Sequence, residues 1–457
     1  CRLFIKLLSQ LRLLWIFKMK VFAFLPAKGN SERVESKNYR YLAGERLYIH
    51  GLKKLLRCKE INKVFLDTDS VKMHEESQYL GCEHMYRKPE FANNATDGHK
   101  LFLNEVENYP EADIYVQYLC TSPFLKPETI DTAIRFLKEH PEHDSVIFMK
   151  REKVYQWNEN NKPEYDINHI PNSKDLPYTI TEGMALYVIR KEAAISLRRR
   201  FGNSPHFIYG DPLEYLDINN PEDFDAAETI ANGYKEKESK HLRLLKHFIS
   251  SPMISDIIDD LRSEKQINAG GVISGLKANI DGSVIFGRAK TLALRALKPF
   301  EDFNGIYKAL DSYQSITSND IIVVENELKE FAYFGDLNTR LAIRAGASGV
   351  IVDSATRDIE RVKLFNLPVF ARSRNAADVR RRATVKSINQ EIHIDGVSIC
   401  PGDYIFADSD AVIVIKEKYY TKVEQILLEK IKCETNVALG IVEHQSTSQL
   451  IKNNGGF

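Results

Sequence analysis

Two stretches of the chain hold residue types whose spacing could do chemistry. The first is LPAKGNSERVESKN, residues 25–38. An apolar run ends at Pro26, and Gly29, Asn30 and Ser31 follow, with the cations Lys28, Arg33 and Lys37 set along the segment. A glycine lets backbone N–H groups come close to a phosphate, and the cations would neutralise it. The GxxxxGK[ST] pattern of a P-loop is absent, so the residues alone leave two readings open: a nucleotide phosphate loop or a solvated basic turn. The second stretch is GDLNTRLAIRAGASGVIVDSATRD, residues 335–358. Asp336 opens a helix-like segment, and Arg357 and Asp358 follow an apolar strand. A helix and a returning strand can bring both ends into one cleft. An aspartate beside an arginine suits a divalent metal next to an anionic substrate. The plainer alternative is a surface Arg–Asp pair.

Elements of alternating type must position both stretches. From Met19 to about Gly233, apolar runs at 19–25, 63–69, 113–119, 145–149 and 185–190 have the length and composition of buried strands. Segments 47–57, 127–140 and 221–234 have helical spacing. Such alternation predicts a mostly parallel sheet with helices on both faces, with the Lys28 loop at the carboxyl end of its first strand, where ligands bind. KEKESKHLR (235–243) reads as a linker or a solvated helix. A second pattern follows: a helix at 255–263, strands at 283–297, 319–326, 349–354, 369–372, 403–408 and 411–416, and a helical stretch at 339–346. The expected division is an N-terminal extension of 1–18, a domain of 19–234, a linker at 235–244 and a domain of 245–457.

Length and composition agree with two globular domains: 457 residues, 43% apolar and 28% charged. Lys+Arg and Asp+Glu are equal at 63 each, so no bulk positive field exists to hold nucleic acid or an anionic membrane. The six cysteines form no CxxC pair, which argues against zinc and for reduced cytoplasmic thiols. Residues 1–18 are apolar but interrupted by Arg2, Lys6, Arg12 and Lys18, so no membrane span is expected there. Met19 reads as the native start and the head as an upstream artefact, the alternative being a surface-lying amphipathic helix.

Four segments in order resemble the CMP-sialate/CMP-Kdo synthetase (acylneuraminate cytidylyltransferase) family. They are LPAKGNSERVESKN; Leu66-Asp67-Thr68-Asp69-Ser70; Gln117 with Thr121-Ser122-Pro123; and Leu216-Asp217-Ile218-Asn219 with Pro221-Glu222-Asp223-Phe224. The resemblance covers roughly residues 19–232. It implies an α/β fold with a mostly parallel, Rossmann-type sheet of the nucleotide-diphospho-sugar-transferase kind. Lys28 would hold the phosphates of CTP together with Gly29, and Lys37 would neutralise charge building on the α-phosphate and leaving pyrophosphate. Ser31 and Asn38 would hydrogen-bond the nucleotide, Gln117 would contact the sugar acid, and Asp217 would help hold Mg²⁺ or another divalent cation. The sequence departs from the family pattern at Asn219, which stands where a second aspartate is usual. It departs again at Ser173-Lys174, which replace an Arg-Gln pair that binds sialate, leaving Lys174 as the candidate for a substrate carboxylate.

The 335–358 stretch resembles the D-x20-R-D signature of the class II 4-hydroxy-4-methyl-2-oxoglutarate aldolase family, which shares its fold with the RraA regulators of ribonuclease E. Residues 250–261, 287–292, 396–415 and the closing NNGGF agree. The resemblance implies a C-terminal RraA-like α/β domain in which Asp358 anchors Mg²⁺ and Arg357 binds a pyruvate-like group. Gly335, Leu337 and Asn338 would offer backbone N–H donors, and Asp336 would orient metal-bound water or assist proton transfer.

Together these resemblances predict a bifunctional cytoplasmic protein. Its first domain would transfer CMP from CTP to a 2-keto-3-deoxy sugar acid, and its second would be a metal-dependent pyruvate aldolase. The alternative makes the second domain a non-catalytic assembly module or a partner-binding module. The family folds imply a homo-oligomer, a dimer through the first domain and a trimer or hexamer through the second, without nucleic acid.

Overall fold

The computed structural model describes residues 19–30, 34–93 and 96–454. Ser31, Arg33 and the 1–18 head therefore lie outside the described residues. The chain divides into two compact units, Cys1–Ile230 and Ala231–Phe457.

In the first unit the apolar runs become β1 (Val21–Pro26), β2 (Lys63–Thr68), β3 (Glu83–Tyr86), β4 (Ile114–Tyr118), β5 (Ser145–Glu152), β6 (Thr179–Arg190) and β7 (Pro205–Ile208). The sheet order is β3-β2-β1-β4-β6-β5-β7. Four of its six neighbouring pairs are parallel; β6 runs antiparallel to both β4 and β5. The chain winds from β1 outward to β3 and then returns to β4 on the other side of β1. The crevice between the carboxyl ends of β1 and β4 is thus a switch point, the place where open α/β sheets bind ligands.

Helices cover both faces. Leu47–Arg57 (α1) and Pro127–Glu139 (α4) bury Leu52, Leu55, Ile130, Ile134 and Leu137. On the opposite face Phe102 and Val106 of α3 (Gly98–Asn108) pack with Phe22, Phe24 and Phe65. The short helices Val71–Ser77 (α2) and Lys191–Leu197 (α5) complete the layer.

Gly51 sits inside α1, where glycine costs about 1 kcal/mol relative to alanine. The reason is contact: a Cβ there would lie 2.3 Å from Leu25 Cδ1 and 3.0 Å from Cys120 Cβ. These two residues lead into the loops after β1 and β4. Gly51→Ala should therefore destabilise the first unit by about 1–3 kcal/mol despite its better helix propensity, because overpacking outweighs propensity. A urea midpoint equal to or above the wild type would refute this.

The helix α6, Pro221–Leu245, spans the division between units. Residues 235–244, read as a linker or a solvated helix, are helical, and inside the second unit they are anchored. Lys235 Nζ lies 2.8 Å from Asp320, Glu238 pairs with Arg288 at 2.7 Å, and Leu242 and Leu245 join an apolar cluster with α7 (Ser251–Lys265). The charged pattern of the stretch reflects pairing rather than solvation. Arg288 is satisfied by Glu238, Glu417 and Tyr404 together, as a buried guanidinium must be.

The second unit holds a ten-stranded sheet, with β8 (Gly270–Ile273) and β9 (Lys277–Ala278) at its two ends. Its parallel part is β10 (Ile285–Ala296), β11 (Ile321–Asn326), β13 (Gly349–Thr356) and β14 (Val369–Arg374), with β12 (Ala332–Phe334) beside β13. Helix α8, Asp336–Ala345, follows β12 and ends at Gly346, whose φ of 99° suits a glycine C-cap. Helix α9, Ile359–Leu364, follows β13. Among the described residues no helix is long and apolar enough to cross a membrane.

Candidate functional site

The loop after β1 is built by hydrogen bonds from three directions. Ala27 N donates to Asp67 O at 2.9 Å and Gly29 N to Asp69 Oδ1 at 2.8 Å. Asn38, 7% exposed, donates through Nδ2 to Lys28 O at 3.1 Å, and its Oδ1 accepts from Cys120 Sγ at 3.5 Å. Lys37 Nζ donates to Ile218 O at 2.5 Å, and Ile218 N donates to Thr121 O at 2.9 Å. Lys37, Asn38 and the 217–218 segment are thereby drawn together at the β1/β4 crevice. Asp217 accepts from Asn219 Nδ2 at 2.8 Å through Oδ2, while its Oδ1 is buried with no hydrogen-bond partner among the described residues. A buried carboxylate oxygen left in this state is costly unless something cationic meets it. Burial pushes the Cys120 thiol up to about 12, against the pull of the Lys37 charge, so it is an inert wall here.

Behind the crevice lies a buried polar cluster. Arg87 forks onto Asp67 with two bonds of 2.9 Å, and Gln117 Nε2 donates to Glu105 Oε2 at 2.8 Å. Burial, and then the negative charge of Asp67, push the Glu105 carboxyl well above its usual range. An acid held protonated in the fold but ionised when unfolded loses stability as pH rises above the unfolded value of about 4.3. Glu105→Gln mimics the protonated form. Its melting temperature should match the wild type near pH 4 and exceed it by a few degrees at pH 8. A wild type whose advantage persists at pH 8 would show that Glu105 is ionised in the fold.

In the second unit β12 and β13 end side by side. Arg357 N donates to Phe334 O at 3.0 Å, and Asp336 N donates to Asp358 Oδ2 at 3.1 Å. Gly335 packs against both side chains: a Cβ there would lie 2.6 Å from Asp358 Oδ2 and 3.0 Å from Arg357 Cγ and would push them aside. Arg357 reaches Asp378 at 2.8 Å through Nη2, and its buried Nε has no hydrogen-bond partner among the described residues, with Asp358 Oδ2 at 3.8 Å. A cavity of about 320 Å³ opens here, lined by Thr356–Ile359 and by Arg374–Ala376. The Arg357 and Arg374 guanidiniums, with Asp358 beside them and Asp378 already holding Arg357, are the groups here that could meet an anion.

Residues 22–245 match the Cytidylyltransferase family model, and residues 252–414 match the Aldolase/RraA family model. The chain joins a cytidylyltransferase-family domain to an Aldolase/RraA-family domain. Protein DlpA of Legionella pneumophila subsp. pneumophila is 29% identical over 202 residues, 43% of this chain and 32% of that protein. The chain thus spans about a third of the length of DlpA. A putative 4-hydroxy-4-methyl-2-oxoglutarate aldolase of Halalkalibacterium halodurans is 29% identical over 185 residues, 40% of this chain and 79% of that protein. N-acylneuraminate cytidylyltransferase B of Danio rerio is 22% identical over 363 residues, covering 75% of this chain and 85% of that protein.

Within the cytidylyltransferase domain, the structure gathers Lys28, Gly29, Lys37, Asn38 and Asp217 and leaves two expected residues elsewhere. Gln117 is 1% exposed and bonded to Glu105 inside the protein. Lys174 lies in the exposed turn Ser173–Asp175, its carbonyl accepting from Lys153 Nζ. Gly29 N and the Asn38 amide are engaged by the protein's own groups, so they shape the loop.

Within the Aldolase/RraA domain, Arg357 and Asp358 line the cavity and Gly335 packs against both. Asp336 turns away: Arg340 Nε donates to its Oδ1 at 3.1 Å and Arg361 lies at 3.7 Å from Oδ2. Asn338 Nδ2 donates back to Tyr333 O at 2.9 Å, and Leu337 is 75% exposed. Arg374 and Asn375 were missed by sequence. Only the β13–β14 register, which sets Thr356 opposite Arg374, brings them in.

Proposed function

We propose that the first domain transfers the CMP group of CTP to a 2-keto-3-deoxy sugar acid, sialic-acid-like or Kdo-like, with release of pyrophosphate. The observation that carries this is the meeting of the Lys37 ammonium with the 217–218 segment, where one Asp217 oxygen is buried and unpartnered. In the reaction a sugar hydroxyl oxygen bonds to the α-phosphorus, the bond to the β-phosphate oxygen breaks, and the hydroxyl proton leaves to solvent. Negative charge gathers on the leaving pyrophosphate, and Lys37 is placed to neutralise it.

Asp217 fits a divalent cation such as Mg²⁺, which accepts one carboxylate and completes its shell with water and phosphate oxygens. When bound, the ion would neutralise phosphate charge. Asn219 brings no second carboxylate, and its amide nitrogen rather than its oxygen faces Asp217. A pyrophosphate-release screen with CTP, Mg²⁺ and a panel of 2-keto-3-deoxy sugar acids tests the assignment. Turnover of none of them, at saturating CTP, would overturn it.

For the second domain we infer a pyruvate-like 2-keto acid bound by Arg357, beside Asp358 as the holder of a divalent cation. The Arg357 and Arg374 side chains lining the cavity beside Asp358 support this. A non-catalytic assembly or partner-binding role is favoured by a different observation, the engagement of Asp336 with Arg340 and Arg361, which withdraws it from proton transfer.

A further inference from the structure

We propose that Arg200 is the subsite for the carboxylate of the acid accepted by the cytidylyltransferase domain. This rests on the transfer assignment above and names the group that recognises its acidic substrate. Arg200 lies between α5 and β7, with a side chain 12% exposed. Its guanidinium stands over the Tyr187 ring at 3.9 Å. Gly98, the first residue of α3, packs against it so closely that a Cβ would lie 2.7 Å from Nη1. The group is thus fixed by stacking and packing.

Its donors are nearly unused. Arg200 Nε is buried with no hydrogen-bond partner among the described residues, and Nη2 finds Met184 Sδ at 3.7 Å, a weak acceptor. Glu182 forms an ion pair with Arg200 at 3.7 Å, too long for a hydrogen bond, and accepts its hydrogen bond from the Tyr187 hydroxyl. A guanidinium drawn out of water, held rigid and left with open N–H groups is arranged for a planar bidentate acceptor, and a carboxylate is that acceptor. The N-terminus of α3 cannot serve in its place, because Asp97 already accepts from His99 N and Lys100 N.

The position agrees. Tyr187 lies opposite Gln117 on β4, and Gln117 lies opposite Phe24 on β1, so the ring shares a row with residues just ahead of the crevice. An acid bridging from Arg200 would therefore extend toward the end of the site where Asp217 and Lys37 act.

The test measures equilibrium binding of N-acetylneuraminate, of 3-deoxy-manno-octulosonate and of their methyl esters, alongside pyrophosphate release with CTP and Mg²⁺. The wild type should prefer each free acid to its ester. Arg200→Ala should weaken binding of the acids about 10- to 100-fold, leave the esters unchanged, and raise KM for the acid far more than it lowers kcat. Glu182→Gln, which removes a repelling charge and keeps the Tyr187 bond, should tighten acid binding several-fold and serves if Arg200→Ala misfolds. Unchanged acid binding in Arg200→Ala, or in Glu182→Gln if that is the variant that folds, would overturn the subsite and leave the transfer assignment standing. Arg200-dependent binding without pyrophosphate release would do the reverse. A wild type that binds neither acid and releases pyrophosphate with none of the panel would overturn both.

Discussion

Replacing Lys37 by alanine should lower CMP transfer about a thousandfold while the protein keeps its fold. The size follows from charge. The leaving pyrophosphate gains negative charge as its bond to the α-phosphate breaks, and an ammonium about 4 Å away is worth roughly 4 kcal/mol at a partly screened protein site. That is close to three decades in rate. The structural cost is small by comparison. The Lys37 hydrogen bond to Ile218 O is worth about 1 kcal/mol. Ile218 itself is fully buried and held by Thr121 O, so the segment stays where it is. Steady-state pyrophosphate release, with the melting curve as control, separates the two effects. Lys37→Arg should keep part of the rate, since charge survives while its placement shifts. Wild-type turnover in Lys37→Ala would remove Lys37 from the reaction and, with it, the strongest support for the crevice as the site.

The apolar runs were legible because burial on both faces of a parallel sheet demands them: 63–69 became Lys63–Thr68 and 349–354 became Gly349–Thr356. The helix at 47–57 was legible from its period, and Leu47–Arg57 is its observed span. What escaped had no local signal. The first half of β6, Thr179–Met184, is polar and exposed, and pairs with β5 only because the chain returns there. The charged run at 235–243 carries no periodic apolar face, and its partners Asp320 and Arg288 lie far along the chain. The site followed the same division. Lys37 and Asp217 belong to contiguous motifs and could be named from sequence. Arg200, Arg374 and the inward turn of Gln117 depend on strand register, which spacing along one segment cannot express.

Arg357→Ala should abolish pyruvate release from 4-hydroxy-4-methyl-2-oxoglutarate in the presence of Mg²⁺ and leave CMP transfer within about twofold. The two candidate sites belong to separate compact units, so changes in one and the other should act nearly independently. Within the second unit the effect is direct. Arg357 and Arg374 supply the positive charge of a cavity that otherwise holds Asp358, and removing Arg357 leaves Asp358 and Asp378 without their cation. A substrate carboxylate then meets net repulsion instead of a charge-assisted pair worth roughly 2–3 kcal/mol. Stability should barely move, because a half-exposed ion pair such as Arg357–Asp378 contributes about 1 kcal/mol or less. Arg357→Lys should fail nearly as badly, since an ammonium cannot hold Asp378 and a carboxylate in one plane. The coupled assay for pyruvate also decides between the two roles of the domain. If the wild type releases no pyruvate while Asp336→Ala, which breaks the contacts to Arg340 and Arg361, changes the oligomeric mass measured by light scattering, then the Asp336 cluster serves assembly. The cavity would in that case be a relic of the Aldolase/RraA fold and not a site of turnover.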